Sequence, residues 1–224
     1  MNILNNQKIA AIIPALNEEA HVAVVLKTIL DSGYFKEVIL VDDGSTDNTY
    51  KIGEELKIKV IRLKKNSGKS NAVRQGLKET KADIIALFDA DLVGLNKSHI
   101  DILLEPILNG ECDMCIGIRD RIFGLPKLIA SIDPHLAIGG ERVLKRKIIE
   151  SLPEKLTKEY ALESALNCFC TKNNFLVKQV VLKNLDHISK EKKWGWFKGF
   201  IKRIKMIGQI VKTRIKFFFI INKK

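Results

Sequence analysis

The chain has 224 residues, 46% of them hydrophobic and 29% charged, with 14 Gly and 5 Pro. That composition excludes collagen-like, disordered and disulfide-scaffold classes and leaves apolar material for one sizeable α/β core. The net charge of +12 is unevenly spread: His187–Lys224 carries 12 Lys/Arg against the single acid Glu191, whereas residues 1–186 carry 26 Lys/Arg and 25 Asp/Glu. A balanced body with a cationic tail argues against a nucleic-acid binder, whose basic residues would line the folded surface.

In chain order, β-branched apolar runs alternate with amphipathic helical stretches. Strands are expected at Ile9–Ile13, Val38–Val41, Ile58–Leu63, Ile84–Phe88, Met114–Ile118 and Phe175–Leu182, and early helices at about 18–31, 48–56, 69–79 and 98–108. Runs such as Ala10-Ala11-Ile12-Ile13 suggest strands buried on both faces, as in a parallel sheet with helices on either side. The expected architecture is therefore a doubly wound, mostly parallel α/β sheet, which binds ligands beyond the carboxyl ends of its strands. After about residue 119 the pattern loosens into a Gly- and Pro-containing loop, then resumes as a helix near 157–171, a strand and a long basic helix.

Four polar clusters each follow a strand: Pro14-Ala15-Leu16-Asn17-Glu18-Glu19, Asp42-Asp43-Gly44-Ser45-Thr46-Asp47-Asn48-Thr49, Asn66-Ser67-Gly68-Lys69-Ser70-Asn71 and Asp89-Ala90-Asp91. Gly68-Lys69-Ser70 lacks the earlier glycine of a P-loop, because position 63 is Leu. In Asp89-Ala90-Asp91 two carboxylates at i and i+2 of an extended segment can point the same way, forming a hard oxygen site for Mg²⁺ or Mn²⁺ that leaves positions open for phosphate. Cys112/Cys115 and Cys168/Cys170 overlap regular elements and fit no common zinc module, so they read as reduced thiols.

The order PALNEE, VDDGSTDNT, NSGKSNAVRQGL, ADIIALFDADL resembles the family 2 glycosyltransferases of GT-A fold, which include polyprenyl-phosphate sugar synthases and glucosyl-3-phosphoglycerate synthases. The resemblance is dense over about 8–118 and looser over 119–206. It implies a hexosyl-transferring enzyme that uses a nucleotide-diphosphate sugar and Mg²⁺ or Mn²⁺. Pro14, Ala15, Asn17, Glu18, Asp42 and Asp43 would hold the nucleoside, Gly68 and Lys69 would lie beside the diphosphate, and Asp89-Ala90-Asp91 would carry the metal. His187, after the last strand, is the expected third metal ligand. Glu163, on a predicted helix, is the expected base for the acceptor hydroxyl, with Glu159 one turn earlier as its rival; Asp91 serves catalysis through the metal. Gly139, Gly140 and Arg142 resemble a flexible acceptor loop in which Arg142 would grip an anion.

The acceptor is either a polyprenyl phosphate or a small phosphorylated metabolite. Two rivals remain: a non-catalytic, membrane-associated module that binds nucleotide sugars, and a sugar-phosphate nucleotidyltransferase. The latter would need a Gly-rich loop after the first strand, which Pro14–Asn17 does not provide. Residues 1–186 are expected to form the transferase domain and 187–224 a basic amphipathic extension, with a homodimer left open. The start of the chain shows no cationic, apolar leader, so a cytoplasmic location is expected. From Phe197, apolar residues at 200, 201, 204, 207, 211, 215 and 218 follow helical spacing with Lys and Arg between them. Such a helix fits the anionic inner face of the cell membrane, peripherally.

Overall fold

The computed structural model describes residues 7–119, 140–159 and 162–187. Gly139 and the C-terminal extension beyond His187 lie outside the described residues, and so do the side chains of Glu159 and His187.

The first half alternates strand and helix: β1 (Ile9–Ala15), α1 (Val22–Asp31), β2 (Glu37–Asp42), α2 (Thr49–Glu55), β3 (Lys59–Arg62), α3 (Lys69–Lys78) and β4 (Ile84–Leu87). A two-residue strand β5 (Leu92–Val93), helix α4 (Lys97–Leu108) and strand β6 (Met114–Arg119) follow. The second half contains β7 (Arg142–Lys145), α5 (Arg146–Ser151), α6 (Glu154–Glu159), α7 (Leu162–Lys172), β8 (Val177–Leu182) and β9 (Asp186–His187). Seven strands form one sheet in the order β3-β2-β1-β4-β7-β6-β8. All neighbours pair in parallel except β7, which runs antiparallel to both β4 and β6.

The core explains the apolar runs. In β1, Ala11 and Ile13 face a cluster with Leu26, Ile29 and Leu103, while Ala10 and Ile12 face another with Val73, Leu77 and Leu166. Alternate residues of one strand thus enter opposite layers, so both faces must be apolar. Helices α1 and α4 cover one side; α3, α5 and α7 cover the other. The doubly wound, mostly parallel sheet expected from the sequence is present.

Three details differ. Arg142 was expected in a flexible loop but opens a strand, inserted between Leu87 of β4 and Ile116 of β6. The helical residues near the expected 157–171 run Glu154–Glu159 and Leu162–Lys172. A small second sheet joins β5 to β9, pairing Leu92 with His187 and Val93 with Asp186.

Candidate active site

The carboxyl ends of β2, β1 and β4 lie side by side, and the loops leaving them lock onto one another. Asn17 adopts a left-handed backbone with φ of 55°, which Asn tolerates better than most residues. Its amide donates to Ser45 Oγ at 2.9 Å, and its side-chain carbonyl accepts from the Thr46 amide at 2.9 Å. The Glu18 amide donates to Thr49 Oγ1 at 2.8 Å, and the Asn48 amide donates to Glu19 Oε2 at 3.0 Å. Pro14 and Ala15 end β1 beside this seam, where Ala15 accepts from the Asp43 amide at 2.8 Å. The first two polar clusters are therefore one structural unit. The Glu18 side chain, 13% exposed, stands at its edge with Oε2 3.9 Å from His21 Nδ1.

Asp42 and Asp43, two of the three acids of the second cluster, are buried. Asp42 accepts from the Ser45 amide at 2.9 Å and pairs with Arg62 Nε at 3.3 Å. Asp43 Oδ1 accepts from both the amide and the hydroxyl of Ser67 at 2.8 Å, and Oδ2 from the Gly68 amide at 2.8 Å. One or other of them is expected to meet a nucleoside base; as placed, their oxygens also hold the protein's own turn and the start of α3. A groove of about 420 Å³ opens alongside, lined by Gly44, Ser45, Thr46, Arg62, Leu63 and Lys64; its lining does not reach Asp89 or Glu163.

Because Asp43 anchors Gly68, Lys69 enters α3 at a fixed place and reaches across β4. Its Nζ lies 2.6 Å from Asp89 Oδ1 and 2.5 Å from Glu163 Oε1. Burial works against the ammonium, but Asp89 and Glu163 outweigh it and keep Lys69 charged well beyond neutral pH. Burial likewise opposes ionisation of Glu163, and Lys69 and then Arg142 overcome it, holding the carboxylate below the ordinary range. Lys69, Asp89 and Glu163, 94 positions apart at the extremes, form one cluster.

Asp89 and Asp91 are both partly exposed, with Ala90 buried between them, at the turn that follows β4. Arg119 reaches this pair from the end of β6. Its guanidinium lies 3.9 Å from Asp89 Oδ2 and donates to Glu141 Oε1 at 2.8 Å. Glu141 is fully buried; burial and then the nearby Asp89 push its carboxyl up, only partly offset by Arg119. Among the described residues its Oε2 has no hydrogen-bond partner. Neither Arg119 nor Glu141 was assigned a site role from the sequence. The strand pairing that places them together, Gly117 amide to Glu141 carbonyl at 2.9 Å, joins residues more than twenty positions apart.

Arg142 corrects an expectation. It is fully buried, and its guanidinium donates to Asn167 Oδ1 at 3.0 Å and to the Glu163 carbonyl at 3.4 Å. A side chain enclosed in the sheet cannot grip an acceptor from a loop; it supports the helix bearing Glu163. Gly140 does border the site, since an added Cβ there would fall on the Asp89 carboxylate.

Among the described residues no three His, Cys, Asp or Glu side chains converge as a ready metal cage. The donor chemistry nevertheless fits a hard cation of the Mg²⁺ type, which is usually bound by one or two carboxylates and completed by substrate phosphate oxygens. The backbone pairing of His187 with Leu92 brings that residue beside the one following Asp91. The four cysteines are free, and Cys112, Cys115 and Cys170 are buried, as the thiol reading expects.

A doubly wound sheet with a carboxylate pair and a lysine at its carboxyl edge places the chain among the α/β proteins whose ligands bind at that edge. More narrowly, residues 10–224 match the family model described as glycosyl transferase family 2, and the chain belongs to that family. It is 37% identical over 118 residues to a dolichol-phosphate mannosyltransferase of Pyrococcus furiosus, covering 50% of this chain and 33% of that protein. It is 36% identical over 129 residues to a UDP-N-acetylglucosamine–dolichyl-phosphate N-acetylglucosaminyltransferase of Methanococcus voltae, covering 48% and 50%. The chain thus spans half or less of the length of these relatives. Among solved structures, glucosyl-3-phosphoglycerate synthase of Mycobacterium tuberculosis, in complex with Mn²⁺, UDP and glucosyl-3-phosphoglycerate, superposes with a TM-score of 0.76. That match has 24% identity and covers 95% of this chain and 80% of the other, which makes it a likeness of fold.

Proposed function

We propose that this protein is a glycosyltransferase that moves a hexosyl group from a nucleoside-diphosphate sugar to a phosphate-bearing acceptor. The observation that carries the reading is the Lys69–Asp89–Glu163 cluster at the carboxyl end of β4. It sets a cation for phosphate oxygens, a carboxylate for a divalent metal and an ionised carboxylate within one site. The groove beside Gly44, Ser45 and Arg62 is the place we assign to the nucleoside.

Asp89 and Asp91, with His187 as a third donor, would hold Mg²⁺ or Mn²⁺. The cation would neutralise charge on the departing diphosphate. Lys69 binds and orients the diphosphate as a point charge. Glu163 is ionised at neutral pH and so can take a proton from an acceptor hydroxyl; an acceptor phosphate, already ionised, would not need it. Arg142 and Asn167 keep the Glu163 helix in register with the sheet.

Relatives named for dolichyl-phosphate acceptors support a polyprenyl phosphate, and the basic extension would bring the enzyme to a membrane carrying one. No described helix is long and apolar enough to cross a membrane. The fold-level likeness to a phosphoglycerate-using synthase supports a small phosphorylated acceptor instead. A hydrolysis screen of nucleotide sugars with Mn²⁺ and Mg²⁺ tests the reading without knowledge of the acceptor. Metal-dependent release of nucleoside diphosphate from one donor is expected. No turnover of any donor, together with no binding of UDP or GDP, would refute it.

A further inference from the structure

We propose that Lys69 is a cationic latch that holds Asp89 and Glu163 together, and that a divalent cation and a nucleoside diphosphate must arrive jointly to release them. The proposal deepens the functional reading above and rests on it. It changes the role of Lys69 from a phosphate ligand alone to a competitor of the metal.

The geometry sets the competition. The ammonium lies 2.6 Å from Asp89 Oδ1 and 2.5 Å from Glu163 Oε1, so each carboxylate already spends one oxygen on it. Side-chain exposures of 33%, 26% and 17% for Lys69, Asp89 and Glu163 leave these charges half-buried, where water screens them poorly. A cation that binds Asp89 through Oδ1 must therefore displace a resident positive charge, and one that binds through Oδ2 meets Arg119, 3.9 Å away, with Lys69 still on the other oxygen. The backbone under Lys69 is fixed, because Asp43 holds the amides of Ser67 and Gly68. The movable part is the four-carbon stem, which can swing a compact charge without moving α3.

Charge balance makes the release a joint event. With metal alone, Lys69 would lose Asp89 and face the cation across Glu163. With diphosphate alone, Lys69 would gain an anion but leave Asp89 with the more distant Arg119, 3.9 Å away, and Glu163 without its nearest cation, and weakening the pairing of half-buried charges is costly. When both arrive, Lys69 gives up Asp89 to the cation and turns to the diphosphate. Glu163 then loses its nearest counter-charge and becomes available for the acceptor. The base is thus uncovered only once the donor is in place. By linkage, metal tightens nucleotide by the same factor as nucleotide tightens metal.

The test measures Mn²⁺ binding to the full chain by electron paramagnetic resonance of free Mn²⁺, with and without UDP. Lys69→Met should bind Mn²⁺ alone more tightly than wild type, by about five- to a hundred-fold, the usual span of such coupling. It should also gain less from UDP, while Lys69→Arg, which keeps the charge, stays with the wild type. Should Lys69→Met fail to fold, Lys69→Gln gives the same comparison with both carboxylates still hydrogen-bonded. A neutral variant whose affinity for Mn²⁺ alone equals or falls below wild type overturns the latch. Absence of Mn²⁺ binding with UDP in every protein, wild type included, overturns the functional reading as well.

Discussion

A Cβ added to Gly140 would lie 2.8 Å from Cγ of Asp89, so the backbone leading into β7 forms a wall against the first acid of the Asp89-Ala90-Asp91 pair. A side chain on Gly140 would meet the Asp89 carboxylate itself and have to push it aside. Gly140→Ala should therefore displace the Asp89 carboxylate by a fraction of an ångström to an ångström and lower kcat by roughly ten- to a hundred-fold. The core does not depend on this residue, so the circular dichroism spectrum should be unchanged. Wild-type kcat in this variant would show that the Asp89 position is not critical.

Asp43 offers a separate test of how the site is built. It accepts three hydrogen bonds, all from Ser67 and Gly68, and these set where Lys69 begins α3. Asp43→Asn keeps the shape but turns an NH₂ group toward a donor. About 1–3 kcal/mol of stability should be lost, since a buried donor is left unsatisfied. Urea denaturation measures that loss, and the KM for the donor sugar should rise with it. A variant as stable as wild type with unchanged KM would mean that this anchor is dispensable.

Glu163 gives a pH signature with a definite sign. Its carboxyl is held below the ordinary value by Lys69 and Arg142 against the effect of burial. A depressed value in the folded state means that the folded protein binds this proton less readily than the unfolded chain. Its contribution is fully present above the unfolded value and disappears as pH falls through the folded one. The difference in unfolding free energy between wild type and Glu163→Gln should thus be largest near neutrality and shrink as pH falls below about 4.5, the ordinary carboxyl value. A difference that stays constant from pH 7 to pH 3 would contradict the pairing.

The parallel half of the fold was legible because β1, β2 and β4 bury both faces and are written as unbroken apolar runs. Three of the four polar clusters were legible for a related reason: each follows such a run, so topology alone sends it to the binding edge, while the third follows the half-exposed edge strand β3. β7 was not legible. Arg-Val-Leu-Lys is four residues long with charged ends, and its burial is decided by β4 and β6 on either side. Missing that strand put Arg142 in a loop and left the Arg119–Glu141 pair unseen. The hydrogen bonds that Asp42 and Asp43 accept from Ser45, Ser67 and Gly68 were not legible either, since sequence shows an acid but not which amides will claim it. The joining of Lys69 to Glu163 depends on packing α3 and α7 on one face, which no local pattern encodes.

The basic extension leads to the last prediction, that this is a peripheral membrane protein. From Phe197 to Phe218 apolar residues recur at helical spacing, Lys and Arg occupy the remaining arc, and Trp194 and Trp196 precede it. A helix of that composition lies in an anionic interface, each basic side chain contributing ~1 kcal/mol near the surface and less as salt rises. The competing arrangement packs the apolar stripe on the enzyme body or a second subunit and leaves the cations in water. Co-sedimentation separates the two. The full chain should pellet with phosphatidylserine vesicles at low salt, release at high salt and ignore phosphatidylcholine vesicles, while a chain ending at Lys193 should stay in solution throughout. Equal pelleting of the two chains would refute membrane binding through this segment. Unfolding of the shortened chain would instead support the packed arrangement, because a helix that sits on lipid contributes nothing to the stability of the body in its absence.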